Sequence, residues 1–262
     1  MPRVAMPHGV SFFEPRPMPI TPQFLVSIRN ANECEAAHFG GADIIDVKEP
    51  NNGPLGMADL DELRQIRDRL QSINPNAKLS IALGELSDWF DSDGLLQSAK
   101  TRAENISGFG PQYLKLGLTS RTDWRSDWAA IRGLPFGPVT WVAVAYADSE
   151  RASSPCPEEV FAEGLRVGCG VLLIDTFRKD GTSLLDWLGR DRLLTLSVRC
   201  HDAGIKLALA GRITAQLLPV ICGLAADIVA VRGAVCDQGL RGRNVDQCLV
   251  ADFRRQLHGG SL

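Results

Sequence analysis

Ala42-Asp-Ile-Ile-Asp-Val-Lys48-Glu-Pro-Asn-Asn-Gly53 reads as a short strand that leaves a helix C-cap at Gly40-Gly41 and stops at Pro50. Side chains alternate across a strand, so Ile44, Asp46 and Lys48 face one way and Ile45 and Val47 the other. An ammonium and a carboxylate therefore share one face of an otherwise apolar strand. A lysine at the C-terminal end of a buried strand is costly unless it is paired or used. A structural Asp46–Lys48 ion pair and a reactive amine both meet that condition, and the rest of the chain decides between them.

The same pattern recurs on both sides of this strand. Apolar runs at 24–29, 43–48, 78–84, 113–118, 140–148, 170–176, 205–211 and 227–231 are each followed by helical patterning. The predicted helices span 32–39, 60–73, 94–105, 123–132, 157–167, 184–203, 214–222 and 245–257. In the second of them Leu63, Ile66 and Leu70 form one apolar stripe. Glycines at 40–41, 168 and 223 mark the hand-over from helix to strand. Eight βα units in about 240 residues predict an α/β fold, a single-domain (β/α)8 TIM barrel over residues 23–262. A doubly wound open sheet would carry G-x-G-x-x-G after its first strand, where this chain has Ile28-Arg-Asn30. Residues 1–22 are proline-rich and lack the layout of a secretory signal. They read as a short N-terminal extension packed over the fold or a neighbouring subunit, with Met18 an alternative start.

Composition removes several function classes. A net charge of -3 gives no polyanion footprint, so nucleic acid is not an expected partner. No apolar run approaches the length of about 18 residues that a membrane span requires. The seven cysteines are odd in number and scattered, which predicts reduced thiols in a cytoplasmic protein. The four histidines show no metal-ligand spacing, so no metal is expected.

Barrels of this kind carry their reactive groups at the C-terminal ends of the strands. Those ends read Arg29, Lys48, Glu85, Lys115, Asp148, Asp175 with Lys179, Arg212 and Arg232, a concentration of polar groups at one mouth. Lys115 alternates with Tyr113 and Gly117, and the small Gly117 leaves space above it. Lys48, Lys115 and Lys179 would place three ammonium groups around one cavity. Burial and mutual repulsion lower a lysine pKa, so one of them can be the neutral amine that forms a Schiff base. Asp46, Asp148 and Asp175 are the matching carboxylates, able to move protons at the carbon beside an iminium. Gly211-Arg212 and Arg232-Gly233, at the ends of the last two strands, form the expected phosphate site. Arg241-Gly-Arg243-Asn244 reads as a solvated loop. Asp43 and Asp227 precede their strands and Asp180 sits in a turn, so these read as structural. Trp124, Trp128, Trp187 and the cysteines read as packing residues.

Six of these segments carry a resemblance. DIIDVKEP (43–50), YLKLGL (113–118), VAYAD (144–148), LIDTFRKDG (173–181), LALAGRI (207–213) and DIVAVRGAVC (227–236) together resemble the (5-formylfuran-3-yl)methyl phosphate synthase family. This family is also called 4-(hydroxymethyl)-2-furancarboxaldehyde-phosphate synthase. The resemblance runs in register through all eight strands. It implies a TIM barrel that condenses two molecules of glyceraldehyde 3-phosphate, losing phosphate and water, to make the furan precursor of methanofuran-type one-carbon carriers. The family's Schiff-base lysine falls on Lys48 and its neighbouring aspartate on Asp46. The other matching positions are Lys115, Asp175 and Lys179. Glu49 and Pro54-Leu-Gly56 depart from the family pattern, and the extension has no counterpart in it.

The expectation is therefore a lyase-type synthase with an essential Lys48, no metal and no organic cofactor, triose phosphate as small-molecule partner, and a homo-oligomeric assembly. Two rivals remain. One is another Schiff-base aldolase acting on triose or pentose phosphates; the other is a non-catalytic phosphate-binding barrel.

Overall fold

A computed structural model describes residues 21–259. Residues 1–20, which hold nearly all of the proline-rich extension, and 260–262 lie outside the described residues. Eight parallel strands close into a barrel: β1 (Gln23–Ile28), β2 (Ile44–Val47), β3 (Lys78–Glu85), β4 (Tyr113–Gly117), β5 (Thr140–Tyr146), β6 (Val171–Asp175), β7 (Lys206–Leu209) and β8 (Ile228–Val231). Each strand pairs with its neighbours in chain order, and β8 returns to pair with β1 through Gln23↔Ile228. The helices between them are α1 (Asn32–Phe39), α2 (Leu60–Ile73), α3 (Ala99–Ser107), α4 (Trp124–Arg132), α5 (Ser149–Ala152), α6 (Pro157–Arg166), α7 (Leu184–Trp187), α8 (Arg190–Asp202), α9 (Leu218–Cys222) and α10 (Gln247–Leu257). The (β/α)8 barrel expected from the hydrophobic pattern is the fold observed.

Strand alternation divides the core in two. Ile44, Ala82, Val142, Val144, Leu173 and Ala208 face inward and fill the barrel, whereas Ile45, Val47, Ile81, Leu114 and Ile174 face outward against the helices. The α2 stripe is typical of the outer layer. Leu63, Ile66 and Leu70 are its buried residues, and each contributes about 1.5–3 kcal/mol relative to exposure. At the N-terminal mouth, Asp43 accepts from the Phe24 amide at 2.7 Å and Asp227 from the Leu207 amide at 2.7 Å. Both carboxylates pin strand starts, as their position ahead of the strands implies.

Three helical stretches differ from the pattern read in the sequence. Residues 90–95 form a two-stranded hairpin, so α3 begins at Ala99 rather than near Gly94. The stretch 184–203 is two helices, because Leu188 is extended and Gly189 caps α8. After β7 the chain makes a 3-10 turn over Ala215–Leu217 before the short α9, which opens with Pro219 in its first turn. Trp124 and Trp128 pack inside as expected, but Trp187 is partly exposed and stacks on Arg151. All seven cysteines are free thiols; four are buried, while Cys222 and Cys248 stand at the surface. No described helix is long and apolar enough to cross a membrane.

Candidate active site

Three strands in register build the floor of the C-terminal mouth. Ser27 on β1, Asp46 on β2 and Ser80 on β3 lie directly opposite one another. Both serine hydroxyls donate to the Asp46 carboxylate at 2.8 Å. Lys115, on β4 opposite Ala82, reaches over the small side chains of β3 and places Nζ 2.7 Å from Asp46 Oδ1. Asp46 has no exposure at all and Lys115 only 3%. Burial pushes the Asp46 carboxyl up, but the Lys115 and Lys48 ammonium groups outweigh it and hold the carboxyl below its usual range. With three donors on two oxygens, Asp46 is a fixed counter-ion.

Lys48 stands one layer above Asp46 at the end of β2 and is buried, yet it has no ion-pair partner within bonding distance among the described residues. Burial lowers its pKa to about 7; Asp175 and Asp46 work against the shift, and Lys115 and Lys179 work with it. A substantial fraction of this amine is therefore neutral near pH 7, the condition for attack on a carbonyl. Across the mouth Asp175, at the end of β6, accepts from Lys179 Nζ at 2.8 Å and from the Thr176 amide at 2.7 Å. Burial raises the Asp175 carboxyl, but Lys179 and Lys48 overcome that and bring it to about 2.

These groups open into one cavity of about 560 Å³ at the mouth. Lys48, Lys115, Asp175 and Lys179 form its catalytic-looking wall; Gly211, Arg212, Arg232 and Gly233 line the opposite side. Gly211 has φ +95°, and a Cβ there would come within 3.0 Å of Thr176 Cγ2, so the β6 and β7 loops touch only because it is glycine. Arg212 follows with φ +53°, a left-handed conformation that costs a non-glycine residue about 1 kcal/mol.

The family model for 4-HFC-P synthase matches residues 24–254. The chain is 32% identical to a (5-formylfuran-3-yl)methyl phosphate synthase of Methanopyrus kandleri, over 85% of this chain and 92% of that one. It is also 32% identical to the synthase of that name from Methanocaldococcus jannaschii, over 88% of this chain and 97% of that one. The chain belongs to the 4-HFC-P synthase family. Among solved structures it is similar to a crystal structure of KGPDC from Streptococcus mutans, with a TM-score of 0.58 and 13% identity over 90% of this chain and 97% of that one. It is also similar to 3-hexulose-6-phosphate synthase, with a TM-score of 0.51 and 14% identity over 90% of this chain and 99% of that one. At such identities the likeness concerns the barrel alone.

Two candidate residues stand elsewhere than the sequence pattern of this 4-HFC-P synthase family member suggests. Asp148 does not line the cavity: its two oxygens accept from the Phe177 and Arg178 amides at 2.5 and 2.9 Å. It holds the β6 loop that carries Lys179. Arg232 borders the cavity, but its guanidinium is directed into the protein. Its five N–H donors go to the Glu33 carboxylate at 2.8 and 3.1 Å and to the carbonyls of Ser27, Arg241 and Arg243 at 2.9, 2.7 and 3.1 Å. None is left for a phosphate.

Sequence reading also passed over several groups. Ser27 and Ser80 are inward polar positions in apolar strands, and alternation relative to Asp46 marks them. Tyr146 is fully buried inside the mouth and donates to Glu85 Oε1 at 2.5 Å. Gly117 leaves room for that carboxyl, since a Cβ would lie 2.0 Å from Glu85 Oε2. The space above Lys115 is thus occupied by Glu85. Arg241, read as part of a solvated loop, lines the cavity instead.

Proposed function

We propose that this protein condenses two molecules of glyceraldehyde 3-phosphate into (5-formylfuran-3-yl)methyl phosphate, as a lyase-type synthase working through a Lys48 Schiff base. The single observation that carries the reading is the buried, unpaired Lys48 amine with its pKa lowered to about 7, between two ion pairs in one cavity.

In this mechanism neutral Lys48 adds to the aldehyde of one triose phosphate and loses water to form an iminium. The iminium acidifies the adjacent C–H. The Asp175–Lys179 pair borders the cavity beside Lys48 and takes that proton, giving an enamine. The enamine expels the phosphate from its own phosphorylated methylene, which leaves an imine-bound enol whose terminal CH2 carbon is the nucleophile. That carbon attacks the keto carbon of the second triose phosphate, isomerised to its ketose by proton transfer, so the second molecule's phosphorylated methylene becomes the arm on the ring. Closure of the second molecule's free hydroxyl onto the keto carbon of the first and loss of two waters form the furan, and hydrolysis of the imine frees the formyl group and Lys48. Asp46 and Lys115 act through charge: one ammonium and one carboxylate below Lys48 keep the floor neutral and leave the amine free of a direct partner. The cations around the cavity favour a substrate that carries phosphate.

The test is incubation of the purified protein with glyceraldehyde 3-phosphate, followed by ultraviolet absorbance of a furan aldehyde and its mass. Wild type should form the chromophore and Lys48→Arg should not. Consumption of the triose without a furan would overturn the reading in favour of an open-chain aldol product.

A further inference from the structure

The cavity wall contains three neutralised pairs and two guanidinium groups without a carboxylate partner. Lys115 faces Asp46, Lys179 faces Asp175 and Arg232 faces Glu33. Arg212 gives Nη1 to the Gly181 carbonyl and makes no ion pair among the described residues. Arg241 lines the cavity with neither a side-chain hydrogen bond nor an ion pair among them.

The segment that carries Arg241 is tied down on both sides. Arg232 holds the carbonyls of Arg241 and Arg243 from beneath, and Arg29 donates to the Gly242 carbonyl at 3.2 Å. The Arg243 amide closes a turn on the Leu240 carbonyl at 2.8 Å, and Cys236 bridges Val245 across the base of the loop. The backbone at Arg241 is therefore set before any ligand arrives. Its side chain is half-buried, and burial lowers its pKa despite the opposing charges of Asp175 and Glu49. A guanidinium that has given up part of its water without gaining a protein partner favours an anion in the space it faces. Gly233 lies alongside: a Cβ built there would come to 3.3 Å from the Gly239 carbonyl oxygen and 3.9 Å from the Arg241 Cβ, so the bare glycine lets the loop lie close to the end of β8.

We propose that Arg241 is the phosphate receptor of this cavity, gripping a phosphoryl group with its planar fork and setting the preference for phosphorylated over unphosphorylated trioses. Its place in the reaction rests on the function proposed above; its anion binding does not. The division of labour on the loop follows from the contacts. Arg232 orders the segment from inside, and Arg241 presents the charge to the ligand. A planar guanidinium matches two phosphate oxygens at once, which an ammonium does not.

The test uses the full chain and inorganic phosphate as the probe, by titration calorimetry of wild type, Arg241→Gln and Arg241→Lys. Arg241→Gln should raise the phosphate Kd by about tenfold or more, with Arg241→Lys in between. With glyceraldehyde 3-phosphate, Arg241→Gln should raise KM more than it lowers kcat. The circular-dichroism spectrum of Arg241→Gln should match that of wild type, which reports an intact barrel. A phosphate Kd within about twofold of wild type in Arg241→Gln, or no phosphate binding by wild type, overturns the proposal. If phosphate binding depends on Arg241 but wild type forms no furan, the anion site stands and the proposed reaction falls.

Discussion

The two halves of the barrel mouth are built from the same residue types and end in opposite states. On the side of β6, β7, β8, β1 and β2, and across to Lys115 on β4, charged side chains border a cavity of about 560 Å³. On the side of β3 to β5, Glu85 and Tyr146 close the mouth themselves, and Tyr146 packs edge-on against Phe177 at 5.3 Å between ring centroids. The carboxylates record the difference. Asp46 and Asp175 are held below their usual range because ammonium groups overcome the effect of burial. Glu85 is raised, because burial acts on it and the hydroxyl of Tyr146 offsets that only in part. Burial alone therefore does not make an ionised site. The ammonium groups on the open half do, and they leave Lys48 as the amine without a partner among the described residues.

The largest effect that can break this comparison is on Lys48. Lys48→Met should lower furan formation by about 10³-fold or more, and borohydride trapping of the triose should vanish. In wild type, kcat/KM should rise as pH increases through about 7, because the neutral amine is the nucleophile. The same depressed pKa has a stability consequence. From about 7 up to the ordinary value of 10.5 the unfolded chain binds the proton and the folded chain does not, so this contribution to stability increases with pH over that window. Lys48→Met should accordingly melt higher than wild type near pH 7, with the gap closing as the pH approaches 10.5. A pH–rate profile flat between 6 and 8, the window bracketing that pKa, would remove Lys48 as the amine.

Next in size is the floor. Asp46→Asn keeps the shape but leaves the buried Lys115 ammonium without its counter-charge. Breaking a buried pair this way costs about 3–5 kcal/mol, measurable as a shift in denaturant midpoint. The double variant Asp46→Asn/Lys115→Met should recover part of that loss, because it removes the stranded charge. If the single variant is as stable as wild type, the floor is not an ion-paired unit and the contrast between the halves fails.

Most of the barrel was legible because both strand faces are apolar and each helix stripe repeats every three to four residues. Alternation from Ile44 placed Asp46 and Lys48 on the inner face, and the strand-end rule gathered Lys115, Asp175 and Lys179. Position along a strand does not reveal which neighbour a long side chain meets. Arg232 is at a strand end, as a phosphate ligand would be, but Glu33 on α1 and three carbonyls draw its guanidinium inward. Asp148 is likewise at a strand end, yet two amides of the next loop occupy it. Arg241 has the opposite history: nothing local distinguishes it from a solvated loop residue until the tertiary ties on its backbone are seen. Strand periodicity could have exposed Ser27 and Ser80, since a polar residue on the inner face of an apolar strand requires a partner.

The closed half should respond in stability, with the lysine chemistry unmoved. Gly117→Ala places a Cβ against the Glu85 carboxyl and should cost about 1–3 kcal/mol through overpacking, seen as a lower melting temperature. The lower limb of its pH–rate profile should keep the wild-type midpoint. A shift of that midpoint would show that the two halves are coupled.

Tyr146→Phe is the smallest and most discriminating change. It removes one hydroxyl and keeps the ring against Phe177, so its cost should be about 1 kcal/mol. The sign of its pH dependence follows from Glu85. The Tyr146 hydroxyl donates to the carboxylate and so opposes the upward push of burial; without it the Glu85 pKa should rise further. A group whose folded pKa lies above its unfolded value stabilises the fold at pH below the unfolded value of 4.5, and that contribution is lost as pH rises through the folded pKa. Tyr146→Phe should therefore be close to neutral in acid, where Glu85 is protonated in both proteins, and destabilising near neutral pH, where wild type supplies the Tyr146 donor to the carboxylate in addition to Thr119 and the variant keeps Thr119 alone. Melting curves of the two proteins across that range test the point directly. A cost independent of pH would mean that Glu85 stays protonated throughout, and the closed half would then owe its state to burial without help from the hydroxyl.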